Sequence, residues 1–104
     1  MVLFVAKWDV RPDKADRYAE WAKSAISRIF AVTGVVEFRG YRPATGCHQV
    51  VVTYEFADMN AWADWNSNED IQKLWDEARL YVTNMSNELW GPSPIVPEPI
   101  RPGQ

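Results

Sequence analysis

Six tryptophans stand among the 104 residues, and four of them, Trp8, Trp62, Trp65 and Trp75, have the spacing to line an aromatic pocket. Aromatic-lined concavities are where flat organic ligands bind. Tryptophan also fills small cores and interfaces, which is the competing role for each of the four. Asn60, Asn66 and Asn68 flank a break expected in the second helical region. An amide beside an aromatic pocket can hold a phenol or enolate oxygen; capping and turn chemistry compete for the same residues. Tyr54, Arg39, Glu37 and Tyr41 come from two central strands. They reach a pocket if they face the helices, and an interface if they face the other way. On this reading Asn66, Tyr54 and Arg39 are the expected catalytic contacts. Trp8, Trp62, Trp65 and His48 are the expected substrate contacts.

His48 is the only histidine. It could act as a base or an axial ligand, but no second ligand residue stands near it, so no metal is expected. The alternative is a half-exposed residue beside a hairpin loop. Cys47 is the only cysteine, which excludes an internal disulfide and a multi-cysteine metal site. Cys47 is expected to be an inert strand residue. There is no phosphate-binding glycine loop, dinucleotide fingerprint or serine elbow, and no cofactor is expected. Any oxidation would use a substrate that activates oxygen itself, or a cofactor held without a motif.

The net charge of −3, with no cluster of Lys and Arg, argues against nucleic acid. The opening MVLFVAKWDV is short and interrupted by Lys7 and Asp9, so it reads as neither signal peptide nor membrane segment. A cytoplasmic address is the default expectation. The length suits one domain, and a chain this short leaves apolar surface that a second copy would cover.

These side chains need elements to position them. Val2 to Val10 alternates as a strand, with Phe4, Ala6, Trp8 and Val10 on one face. Asp13 is the expected cap of a helix from about Lys14 to Val32, whose apolar stripe is Tyr18, Trp21, Ala22, Ala25, Ile26 and Ile29. Arg28 belongs with the solvated side. Thr33-Gly34 ends the helix. Strands over 35–42 and 47–56 flank Pro43-Ala44-Thr45-Gly46, a hairpin loop. Asp58 caps a short helix, Ser67 with Asp70 restarts one, and Ile71, Leu74, Trp75, Ala78, Tyr81 and Val82 form its stripe. A last strand covers 84–90. Five of the seven prolines fall between Pro92 and Pro102, a tail that is either disordered or docked on a neighbouring subunit.

The order strand, helix, strand, strand, helix, strand predicts an α+β ferredoxin-like domain over 1–91: a four-stranded antiparallel sheet with two helices on one face, followed by the Pro-rich tail 92–104. The first strand is apolar on both faces. Leaving one bare would expose an apolar patch, so a sheet-to-sheet homodimer is expected.

The first strand ending in Val10-Arg11-Pro12-Asp13-Lys14, the helix with Tyr18 and Trp21, the strand Val50-Val51-Val52-Thr53-Tyr54-Glu55-Phe56 and the segment Asp58-Met59-Asn60-Ala61-Trp62-Ala63-Asp64-Trp65 before Ile71 carry a resemblance. Over residues 1 to 90 the chain resembles the dimeric α+β barrel superfamily, and within it antibiotic-biosynthesis-monooxygenase-like domains. Members often carry a histidine after the helix-two aromatic and another at the break; the matching positions here are Trp65 and Asp70. The strand-one asparagine of haem-degrading members falls nearest Trp8, which argues against haem degradation. The resemblance implies a homodimeric, monooxygenase-like protein acting without a bound metal on a small aromatic molecule. The alternative is a non-catalytic dimeric small-ligand-binding or stress-responsive module. No nucleic-acid or membrane partner is expected.

Overall fold

The computed structural model describes residues 1–103. Its elements are β1 (Val2–Val10), a 3-10 turn (Pro12–Lys14), α1 (Ala15–Ala31), β2 (Glu37–Tyr41), β3 (Val50–Phe56), α2 (Met59–Asn66), α3 (Glu69–Ala78) and β4 (Val82–Trp90). The strands form one antiparallel sheet in the order β2-β3-β1-β4. The second helical region is broken after Asn66 into α2 and α3, as expected, so the βαββαβ order carries three helices on its sheet.

Local chemistry explains most boundaries. Pro12 starts a 3-10 turn ahead of α1, so the capping position falls to Lys14 and no side chain caps the helix. Asp13, the expected cap, lies inside that turn. Asp58 caps α2 as expected, accepting from the Ala61 N–H at 2.8 Å. The next cap is Asn68, not Ser67: its side chain accepts from the Asp70 N–H at 2.9 Å, while Ser67 Oγ donates back to the Asp64 carbonyl. Helix α3 stops at Ala78. Backbone N–H groups of Leu80 and Tyr81 close its last turn, and the Tyr81 carbonyl accepts from Arg11 N–H at 2.8 Å. Val82 then starts β4 opposite Val10, two residues ahead of the expected strand.

Strand periodicity sorts the sheet into two faces. Phe4, Ala6, Trp8, Val52, Tyr54 and Phe56 are buried and pack in the core with Ala25, Ile29, Trp65, Ile71 and Leu74 of the helices. Glu37, Arg39 and Tyr41 pair with Glu55, Thr53 and Val51, so they alternate onto the opposite face, away from the helices, where Val5 and Thr53 at its centre are nevertheless buried. Lys7 and Glu88 make an ion pair of 3.0 Å there, beside Trp90. In the tail, Ile95 and Ile100 are exposed within the single chain.

Two irregularities serve packing. Gly34 has φ of 138°, a conformation that side chains rarely adopt, so the chain after α1 needs glycine there; a Cβ would stand 3.4 Å from Trp65 Cβ, in van der Waals contact. In β4, Asn84 and Met85 together stand opposite Trp8, a bulge with Asn84 at φ 56°.

Candidate functional site

Between the helices and the inner sheet face lies a cavity of 170 Å³. Strand β1 supplies Trp8, β2 supplies Phe38 and Gly40, and β3 supplies Val52 and Tyr54. Helix α1 contributes Tyr18, Trp21 and Ile26, and α3 contributes Leu74 and Trp75. The lining is almost wholly apolar because both periodicities point their apolar residues here. The volume is close to the ~150 Å³ apolar cavity known to take benzene.

The lining's side-chain polar groups are donors. Trp8 Nε1 donates to the Tyr18 hydroxyl at 3.0 Å, leaving that hydroxyl's own proton free. Tyr54 is 1% exposed. Burial pushes its hydroxyl far above the usual tyrosine value, neighbouring Tyr18 pushes it the same way, and no hydrogen bond offsets them. Burial also raises Tyr18, against a smaller opposing effect of the Trp8 hydrogen bond. Both tyrosines therefore stay neutral at physiological pH and can donate to a ligand oxygen. Trp21 Nε1 is turned away to Glu77 at 3.3 Å. No histidine, cysteine or carboxylate lines this cavity. Among the described residues, no group of three or more histidine, cysteine, aspartate or glutamate side chains is gathered as a metal site requires.

Trp75 and the neighbouring Phe4 ring separate this cavity from a cleft of 410 Å³ between α2, α3 and β4. Trp62 and Asn66 line that cleft with Gln72, Arg79 and Asn87. Trp62 Nε1 is buried there with no hydrogen-bond partner among the described residues. An unpaired buried donor costs roughly 1–3 kcal/mol.

The seven residues singled out from the sequence are thus dispersed. Trp8 and Tyr54 share the cavity, and Trp62 and Asn66 share the cleft. Trp65 lines neither: it is fully buried in the core, ringed by Phe4, Tyr54, Phe56 and Trp75, with Nε1 donating to the Ile29 carbonyl at 3.4 Å. Arg39 lies on the sheet face away from the helices, paired with Glu37. His48 lies outside β3, because the Gln49 N–H bonds to Asp9 and the strand begins only at Val50. Its Nε2 lies 3.1 Å from the Asn84 carbonyl, in a separate groove near Arg42 and Pro43.

Trp75, one of the four tryptophans expected at a pocket, does line the cavity, whereas Tyr18 is a cavity residue that the sequence reading placed only in the helix stripe. Tyr18 carried one usable signal, a hydroxyl in the middle of an otherwise apolar stripe. An additional finding is the clasp between helices. Arg28, expected on the solvated side, turns to Glu77 of α3 with two hydrogen bonds, one of 2.8 Å. The same Glu77 oxygen holds Trp21, so the clasp fixes one cavity wall.

A family model for antibiotic biosynthesis monooxygenases matches residues 1–76. Among solved structures, a dabb family protein with a ferredoxin-like fold from Mesorhizobium loti is 17% identical, with 88% of this chain and 96% of that one covered and a TM-score of 0.78. SnoaB, a cofactor-independent oxygenase from Streptomyces nogalater, is 16% identical over 93% and 97%, with a TM-score of 0.72. At3g17210 from Arabidopsis thaliana is 9% identical over 89% and 96%, with a TM-score of 0.80. Identities this low establish the ferredoxin-like fold and no more. No curated protein sequence matches the chain. Together, the four-stranded sheet with its inner cavity and the family match over most of the domain show that the chain belongs to the antibiotic biosynthesis monooxygenase family and is monooxygenase-like in its class of function.

Proposed function

We propose that this protein oxidises a small aromatic compound with molecular oxygen, without a bound metal, and that the substrate ring sits in the cavity against Trp8, Phe38 and Trp75. The observation that carries the reading is the pair of neutral tyrosine hydroxyls, Tyr18 and Tyr54, in an otherwise apolar lining. Donors of this kind stabilise the oxygen of a phenolate or enolate where water is excluded. The anion is the electron-rich species that reduces oxygen directly. One oxygen atom enters the product as a quinone carbonyl and the other leaves as water, with one hydrogen drawn from the oxidised ring carbon and one from the ring hydroxyl. The lining holds no base, so the substrate must be acidic enough to ionise in water before it binds.

Tyr54 and Trp8 keep their expected roles in this reading. Trp62 and Asn66 serve the cleft beyond Trp75, where the Trp62 ring and the Asn66 amide suit a substituent that ends in a polar group. The test is oxygen uptake with a panel of hydroquinones and related phenols. Turnover by the wild type that falls in Tyr54→Phe supports the reading, and no uptake with any of them overturns it.

The lack of a base in the cavity favours one second reading, a non-catalytic module that binds a neutral aromatic ligand. The two differ in one measurable quantity. A cavity built for the anion lowers the pKa of a bound phenol, and a merely apolar one raises it.

Both readings include a homodimer formed through the sheet face away from the helices. Tyr41 and Trp90 are each about half exposed in the single chain, Tyr41 on that face and Trp90 beside Lys7. A second copy would bury such surfaces in a two-fold interface.

A further inference from the structure

We propose that Gly40 determines which ligands enter the cavity: its missing side chain keeps the mouth open for an aromatic ligand with a second ring or a bulky substituent. This rests on the cavity being a ligand site, as proposed above. Of the cavity's lining residues, only Ile26 of α1 and Gly40 of β2 are exposed. They mark where the cavity meets solvent, between a helix and the edge strand β2.

Gly40 is paired with Val52 and shares the inner face with Phe38, so a side chain there would project toward the cavity. Nothing lies within 4 Å of the position its Cβ would take. Its φ is not in the left-handed range, unlike those of Gly34 and Gly46, so the backbone does not demand glycine. Glycine also weakens a strand interior and leaves nothing to pack. A strand that carries glycine where neither conformation nor crowding requires it leaves space free for something outside the chain. The enclosed volume of 170 Å³ suits one ring. A larger ligand must extend through the mouth, past residue 40.

The experiment compares phenol and 2-naphthol binding by chemical-shift titration of the full chain, in the wild type, Gly40→Ala, Gly40→Val and Tyr54→Phe. Valine suits a strand, so Gly40→Val should melt no lower than the wild type. We expect Gly40→Val to weaken 2-naphthol about tenfold or more, the scale of overpacking a filled site, with phenol held within about threefold. Gly40→Ala should fall between. Unchanged 2-naphthol affinity in a folded Gly40→Val overturns the proposal, as does equal loss of both ligands. If Tyr54→Phe weakens both ligands while Gly40→Val weakens neither, the cavity reading stands and only the role of Gly40 fails. If the wild type binds neither, the cavity reading fails and takes this proposal with it.

Discussion

Replacing Tyr54 with phenylalanine separates the two readings of the cavity. The change removes one hydroxyl and leaves the ring that packs against Phe4, Phe38 and Trp65. A hydrogen bond to a charged partner contributes about 1.5–3 kcal/mol and one to a neutral partner about 0.5–1.5. Binding of a phenolate should therefore weaken about ten- to a hundredfold, and binding of the neutral phenol several-fold. The difference, roughly 1–1.5 kcal/mol, should raise the pKa of the bound ligand by about one unit relative to the wild-type complex. 4-Nitrophenol reports both quantities, since its two protonation states absorb at different wavelengths. Stability should change by no more than about 1 kcal/mol, because no hydrogen bond within the chain offsets burial of this hydroxyl and the cavity has room for a water. The reasoning fails if Tyr54→Phe leaves phenolate binding within about twofold. It also fails if the wild-type complex raises the ligand's pKa above its value in water, which would favour the binding-module reading.

Four further outcomes follow from the packing. Trp65→Ala should lower stability by about 3–5 kcal/mol in urea unfolding, since the side chain is wholly buried; less than about 1 kcal/mol would contradict that packing. Loss of activity in that variant would consequently not identify a substrate contact. Gly34→Val should cost more than about 1 kcal/mol, because φ is positive and Trp65 stands against the new Cβ; a neutral melting temperature would count against it. Glu77→Gln should destabilise by at most about 1 kcal/mol at neutral pH, as the pair with Arg28 is partly solvated. The Arg28 hydrogen bonds hold the Glu77 carboxyl below its ordinary value, so their contribution is present above about pH 4.3 and is lost as pH falls through the lowered value. The gap between wild type and variant should close in acid, and a gap that widens there would refute the sign. Light scattering should give twice the chain mass; a monomer mass independent of concentration would overturn the proposed dimer.

Much of the scaffold was legible from local rules. The two-residue period placed Phe4, Ala6 and Trp8 on one face, and all three are buried. The strand read from residue 47 begins only at Val50, with the Gln49 N–H held by Asp9 and Trp8 of β1, so His48 stands outside it. A contact with residues forty positions away leaves no mark on the local pattern. Asp58 was legible as a cap because capping spans only three residues. Asp13 was not, because Pro12 supplied a competing turn.

What the sequence by itself determined is the order of elements and the face each residue takes within its own element, since both follow from periods of 2 and 3.6 and from capping chemistry read over a few positions. Where space remains was decided only by the tertiary structure. Trp65 and Trp75 look alike in the chain, each on an amphipathic helix with the apolar residues. Gly34 brings the chain after α1 against Trp65 and seals it, whereas Trp75 stands between two concavities. Arg39 and Tyr54 end on opposite faces because of one register, Arg39 opposite Thr53. Tyr18 and Tyr54 lie 36 positions apart and act on one another only because packing brings α1 and β3 to the lining of one cavity. A cavity is the volume left between elements after packing, and no single element's pattern encodes it.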